Sequence, residues 1–326
     1  MAIGQDGSTT EVDLEQYRGE LVGYCYRMLG SSSEAEDAVQ ETMTKAWRNL
    51  DRFEGRSSLR TWLYKIASNT CFDQLRSSQR RARPMDLSDP WAVDGPIGEI
   101  LPEVTWVQPV PDRLVRGSFA DPADVAEGRD SVRLAFIAAL QHLPPKQRAA
   151  LILCEVLRWP AAEVADLLDT TVASVNSALQ RARATLDGID ERGPARSAAA
   201  GRTVDPALLE RWVSAFEAYD IDSLVELFTA EAIWEMPPFD SWYRGPQAIG
   251  DLSRHKCPAE QAGDMRFIAT TANGQPAAGM YLLNRESGVH EAFQLHVLDM
   301  GSDGISHVVA FMEPTLFEKF GLPGSL

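Results

Sequence analysis

No run of apolar residues in this 326-residue chain approaches the roughly 20 needed to span a bilayer. The stretch Met1–Thr10 is polar and lacks the apolar centre of a secretory leader, so a cytoplasmic chain without membrane contact is expected. Cysteine is scarce. Cys25, Cys71, Cys154 and Cys257 are scattered without paired spacing, which argues against a disulfide framework or a zinc site. Neither a metal nor a cofactor is expected. Basic charge is also short, with 31 Lys and Arg against 47 Asp and Glu for a net charge of −16. A uniformly basic nucleic-acid binder is thereby excluded.

The basic residues that exist are concentrated. Residues 45–83 hold ten Lys and Arg against three Asp and Glu, whereas residues 84–128 hold two against nine and residues 193–326 nine against eighteen. Phosphate attraction is screened over about 8 Å at physiological salt, so a local patch can act despite an acidic remainder. Within the patch, residues 52–69 combine Arg52, Arg56, Arg60 and Lys65 with Phe53, Trp62 and Tyr64. Cations beside flat rings suit unstacked bases and their phosphates. The alternative is a solvated basic face with Trp62 and Leu63 in a core.

Two helical patterns precede this segment. Leu14 to Leu29 carries Tyr17, Leu21, Tyr24 and Met28 on one side. A capping box of Ser33 and Glu36 predicts a second helix, with Ala35, Ala38, Val39, Thr42, Met43, Ala46, Trp47 and Leu50 at helical spacing. Its other face shows Asp37, Gln40, Glu41 and Lys45. The succession Glu36-Asp37-Ala38-Val39-Gln40-Glu41, Ala46-Trp47 and Arg60-Thr61-Trp62-Leu63-Tyr64-Lys65-Ile66-Ala67-Ser68-Asn69 resembles region two of an extracytoplasmic-function sigma factor.

Further along, Leu143-Pro144-Pro145-Lys146-Gln147-Arg148 opens a helix, and Pro160 starts another through Leu168. A turn at Asp169-Thr170-Thr171 leads into a helix from Val172 to Leu186, with Val175, Ala178, Leu179, Ala182 and Leu186 as its inner stripe. An ordinary helical hairpin would show the same stripe. Small polar residues at the helix start followed by Arg suit major-groove reading, and the whole is similar to sigma region four.

The resemblance implies roles by position. Asp37, Gln40 and Glu41 would dock on core RNA polymerase. Arg52, Phe53, Arg56, Ser57 and Ser58 would form the loop that captures a flipped base of the minus-ten element. Arg60, Thr61, Trp62, Lys65 and Asn69 would lie on the adjoining helix, and Arg76 and Arg80 would hold phosphates. Thr171, Ser174, Asn176, Ser177, Gln180, Arg181 and Arg183 would face the minus-thirty-five element of promoter DNA.

Residues 203–326 begin with two helical patterns and continue with strand-like segments, Ala232–Met236, Met265–Thr271, Gly279–Leu283, Ala292–Met300 and Ile305–Phe311. Helices followed by a curved antiparallel sheet indicate an α+β cone. With Trp234-Glu235-Met236-Pro237-Pro238 and Trp242-Tyr243-Arg244-Gly245-Pro246, the segment resembles the SnoaL-like polyketide cyclase family. Trp234, Met236, Phe239, Trp242, Tyr243, His290, Gln294 and His296 are candidates for lining a pocket that could take a small-molecule ligand. No carboxylate–histidine pair stands out, so regulation is expected rather than catalysis.

The expected fold is multidomain: two all-α modules, a sigma region 2 bundle and a sigma region 4 helix-turn-helix, plus a C-terminal α+β cone of SnoaL-like type. The expected boundaries are region 2 over 11–84, an acidic Pro/Gly-rich linker over 85–128, region 4 over 129–188, a linker over 189–202 and the cone over 203–326. In the first linker, Leu101–Val107 is an apolar island that either pins the segment to a domain or threads toward a polymerase channel. Two rival functions remain: a SnoaL-like enzyme tethered to a DNA-binding module, and a free-standing regulator of duplex DNA.

Overall fold

The computed structural model describes residues 13–76, 80–115, 131–190 and 206–326. The expected linker over 189–202 and the end of the first linker therefore lie largely outside the described residues. The chain divides into two compact units: Met1–Arg80 with Asp112–Arg192, and Arg81–Pro111 with Gly193–Leu326.

In the first unit, α1 (Arg18–Leu29) ends at Gly30, whose φ of 72° is the left-handed conformation that glycine adopts without strain. Ser31 follows at once in extended conformation, and its side chain accepts from the Glu34 backbone N–H at 3.2 Å. Helix α2 (Ser32–Arg48) therefore starts two residues before the capping box expected at Ser33, because the glycine stop leaves no room for a longer turn. Its expected apolar face is buried through Ala46, while Trp47 is 74% exposed and Leu50, beyond the helix end, is half-buried. Helix α3 (Leu59–Leu75) is capped by Ser58, which accepts from Thr61 N at 3.0 Å. Leu63, Tyr64, Ala67 and Cys71 bury its inner side.

The second helical module comprises α4 (Asp112–Val115), α5 (Leu134–Gln141), α6 (Pro145–Leu151), α7 (Ala161–Leu167) and α8 (Val172–Asp190). Helix α6 runs on into a π-helical stretch, Ile152–Val156. Two buried arginines join this module to α1. Arg27 donates to Gly23 O and to the Ser131 carbonyl and hydroxyl, and Arg148 donates to Met28 O, Leu143 O and Gln141. Burial pushes both guanidinium pKa values down to about 10; carbonyl and hydroxyl oxygens take most of their donors, while Arg148 Nε is buried without a partner.

In the second unit, α9 (Pro206–Glu217), α10 (Ile221–Val225) and α11 (Pro246–Lys256) pack with a six-stranded sheet. The strands are β1 (Phe228–Glu235), β2 (Trp242–Arg244), β3 (Met265–Ala272), β4 (Gln275–Asn284), β5 (Val289–Gly301) and β6 (Gly304–Phe311), in the order β2-β1-β6-β5-β4-β3. A short helix, α12 (Leu316–Lys319), follows. The expected antiparallel sheet is antiparallel at every pairing except β1 with β6, which run parallel. Parallel neighbours need a long crossover, and the whole of β2 to β5 supplies it. The core centres on Trp212, fully buried, with Phe216, Phe228 and Trp234 around it at ring separations of 4.8, 5.6 and 5.9 Å.

Residues 81–111 have no core of their own and pack on this cone as a strap. Trp91 N donates to Trp242 O at 2.8 Å, Leu101 N to Pro238 O at 2.9 Å, and Asn273 N to Val110 O at 3.0 Å. Trp242 Nε1 returns a bond to Ser88 O, and Lys256 Nζ one to Gly95 O. Gly98 has a φ of +105°, and a Cβ there would lie 2.5 Å from Asp240 Oδ1. Trp106 and Val107 of the apolar island are buried within the same unit.

Candidate nucleic-acid interface and C-terminal cavity

The basic segment presents its cations from a loop and one helix. Arg52, Arg56, Ser57, Ser58, Asn69, Arg76 and Arg80 are exposed, while Phe53, Arg60, Trp62 and Lys65 are half-buried and Thr61 is buried. Phe53 and Trp62 pack together with ring centroids 5.1 Å apart, a small aromatic platform beside the Arg52–Ser58 loop. Arg56 pairs with Glu54 and Arg76 with Asp73, both on the surface, where such pairs are weak. Arg80 donates to His142 Nε2 at 2.8 Å.

Two of these groups are bonded to the helix-turn-helix of the same unit, and a third, Arg60, is held by α1. Thr61 Oγ1 donates to Glu163 Oε1 at 2.7 Å, and Lys65 Nζ to Asp169 Oδ1 at 2.6 Å. Arg60 binds Glu20 Oε2 at 2.8 Å while its guanidinium lies 5.4 Å from the Tyr64 ring centre and 5.0 Å from that of Trp159. The groove lined by Arg52, Phe53, Arg56, Trp62 and Lys65 also includes Asp166. Carboxylates thus lie against the cationic face of α3. Sequence spacing gave no sign of this, because the partners are about a hundred residues away.

On α8 the expected division holds except at Ala178, which is half-buried. Val175, Leu179, Ala182 and Leu186 are buried, and Thr171, Ser174, Asn176, Ser177, Gln180, Arg181 and Arg183 are exposed. Thr171 Oγ1 accepts from Ser174 N at 3.2 Å, so it caps the helix as well as standing at its tip. Arg183 is tied to Glu155 at 2.6 Å. On α2, Asp37, Gln40 and Glu41 are exposed. A surface groove lined by Arg18, Gln40, Met43, Thr44 and Trp47 adjoins them. Trp47 is thus an exposed aromatic at the candidate docking face that helical periodicity assigned to the core.

In the cone, Trp234, Met236, Gln294 and His296 line one cavity, joined by Phe216, Met280, Phe293 and Ile97 of the strap. Trp242 and Tyr243 are buried elsewhere, Trp242 bonded to the strap, and His290 lies 2.8 Å from Gly263 O. Neither these three nor Phe239 is among the residues lining the cavity. His296 is fully buried, and desolvation pushes its pKa down to about 3. A carboxylate–histidine pair that sequence spacing did not mark lies outside the cavity: His307 Nε2 donates to Glu235 Oε1 at 2.6 Å across the parallel β1–β6 pair. Glu235 alternates with cavity-facing Trp234, and its other oxygen accepts from Met85 N of the strap, so this pair anchors the strap rather than lining the cavity. Among the described residues, no cluster of His, Cys, Asp and Glu could hold a metal ion, and no helix is long and apolar enough to cross a membrane.

Comparison with known proteins gives three family matches along the chain. Residues 14–81 match Sigma-70 region 2, residues 133–186 match Sigma-70 region 4, and residues 209–301 match the SnoaL-like domain. The ECF RNA polymerase sigma factor SigG of Mycobacterium tuberculosis is 54% identical over 314 residues, covering 96% of this chain and 83% of that protein. SigJ of the same organism is 29% identical over 247 residues, covering 73% and 70%. The crystal structure of SigJ superposes with a TM-score of 0.58 at 21% identity, covering 95% of this chain and 98% of that one, a likeness of fold.

Proposed function

The chain belongs to the extracytoplasmic-function RNA polymerase sigma factors, and from that premise we propose that it seats on core RNA polymerase in the cytoplasm and directs initiation at the promoters it selects. The observation that carries this reading is the pairing of an aromatic, cationic loop and helix, residues 52–69, with an α8 that exposes Ser174, Asn176, Ser177, Gln180, Arg181 and Arg183. The first suits an opened strand, with bases set against Phe53 and Trp62 and phosphates against Arg52 and Arg56. The second suits a closed duplex, with Asn176 and Gln180 at base edges and Arg181 on phosphate. Asp37, Gln40, Glu41 and Trp47 are the surface offered to the polymerase.

Bound to the polymerase, the helix-turn-helix must leave α3 before Lys65 and Thr61 can meet DNA. The test is a gel shift on promoter DNA with the protein alone and with core polymerase, followed by transcription in vitro. Retardation and initiation only with core support the reading. Tight, sequence-specific binding without core would point instead to a free-standing regulator.

The C-terminal cone regulates rather than catalyses. A histidine with a pKa near 3 holds no proton at neutral pH and is a poor general base, which works best with a pKa near the operating pH. What favours regulation is the strap: residues 81–111 of the segment connecting the two sigma modules are hydrogen-bonded to the cone. Anything that changes the cone, a small ligand included, is felt by the connection between the modules. Loss of residues 206–326 is expected to change initiation on at least one promoter. Unchanged transcription on all of them would remove the regulatory role.

A further inference from the structure

The cavity of the cone joins an apolar body to a single charge. Its walls are chiefly the aromatic and thioether side chains of Phe216, Trp234, Met236 and Phe293, and the strap contributes Ile97. About 50 Å³ is open to the centres of water-sized molecules. Since about 10–15 Å³ by this measure admits one water, one small ring fits. The lining holds no Asp or Glu, and Lys256 is its one Lys or Arg. His296 adds no charge at neutral pH, because burial pushes its pKa down to about 3.

Lys256 is the last residue of α11 and is half-buried. Its Nζ donates to Gly95 O of the strap at 2.9 Å. An ammonium carries three N–H donors, so this carbonyl takes one of them and balances none of the charge. The carboxylates near this end of α11 go elsewhere: Arg254 pairs with both Asp222 and Asp251. Among the described residues Lys256 has no ion pair. A half-buried cation beside apolar walls is best met by an anion that brings its own apolar body. A carboxylate accepts from the two remaining N–H groups. A neutral ring gains the walls alone, and an amine is repelled.

We propose that this cavity binds a small apolar monocarboxylate, its body among the aromatic walls and its carboxylate on Lys256. One ammonium then holds the ligand and the strap together, with Ile97 against the bound molecule, so occupancy tightens the strap on the cone. The proposal rests on the regulatory reading of the cone and deepens it by naming the ligand class.

The experiment titrates the full-length protein, without polymerase, with benzoate, benzamide and toluene by calorimetry. Hydrogen exchange at the amides of Trp91 and Leu101, which bond to Trp242 O and Pro238 O, follows the strap in the same samples. Benzoate is expected to bind about tenfold more tightly than benzamide, the margin of a charged over a neutral hydrogen-bond partner, and to slow exchange at both amides. In Lys256→Met benzoate should fall to the level of benzamide while toluene binds as before. If that variant does not fold, a salt series on the native protein decides, since added salt must weaken benzoate and leave benzamide unchanged. Equal binding of benzoate and benzamide, toluene tighter than benzoate, no binding of any probe, or unaltered exchange with benzoate bound overturns the proposal. Binding and slowed exchange as expected, with no effect on transcription, would leave the site standing and remove the regulatory reading instead.

Discussion

At single residues the decisive question is which partner a charge keeps. Lys65 and Asp169 form a 2.6 Å pair with both side chains partly in solvent, 38% and 74% exposed. A pair so exposed contributes only about 0–1 kcal/mol, so it can be exchanged for a phosphate at little cost. Asp169→Asn should therefore raise the affinity of the free chain for single-stranded minus-ten DNA by a few-fold. It should also steepen the salt dependence by about 0.7 of a counterion, the share one added phosphate contact contributes. Fluorescence anisotropy across a salt series measures both, and an unchanged slope would show that Lys65 is not made available by the substitution. His296 gives a second residue-level expectation. Its folded pKa of about 3 lies below the ordinary value of 6.5, so between those limits the unfolded chain binds the extra proton. Stability conferred by the neutral ring is complete above pH 6.5 and falls as the pH drops towards 3, by about 1.4 kcal/mol per pH unit. Urea denaturation of the native protein and of His296→Leu at pH 7 and pH 5 isolates that slope as the difference between them.

At the scale of elements, α8 and α2 show what a sequence can and cannot reveal. The inner stripe of α8 and all seven outward side chains were legible, because one amphipathic helix on a shared core obeys its own 3.6-residue period. Trp47 was not: periodicity put it with Ala46 and Met43, yet it lies past the end of the buried stripe, where the helix outruns the core. The start of α2 was misplaced for a local reason too, since Gly30 and not the Ser33–Glu36 spacing sets where the helix begins. These faces carry separable expectations. Trp47→Ala should lower affinity for core polymerase by about tenfold or more, as loss of an aromatic anchor does, with no fall in melting temperature for a side chain so exposed. Asn176→Ala should relax promoter choice, at about 1–3 kcal/mol of discrimination, while Arg80→Ala weakens all promoters alike. Competition transcription on matched and mismatched minus-thirty-five elements separates the two, and equal losses for Asn176→Ala would count against base reading.

On the scale of the whole chain, the strap stands out because it lies between the two sigma modules in sequence yet packs in the unit of the C-terminal domain. Its Pro- and Gly-rich composition reads as a linker, and nothing in residues 81–111 names a partner, because the bonds that hold it span separations of 137 to 163 residues. The carboxylates that cover α3 were hidden in the same way. Long-range pairing of polar groups leaves no period to read, whereas the cores of the modules do. Docking of the strap ties part of the connection between the sigma modules to the cone. Gly98 is the place to test this. Its positive φ excludes most side chains, and a Cβ would meet Asp240, whose Oδ1 accepts from Glu99 N at 2.8 Å. Gly98→Val should cost about 1–3 kcal/mol of local docking without touching either sigma module. Hydrogen exchange over residues 88–101 is expected to quicken by roughly tenfold or more, and initiation with core polymerase to shift relative to the native chain. Faster exchange with unaltered initiation would mean that the strap is anchored for stability alone; protection that does not change would mean that the contacts around Asp240 are not what holds it.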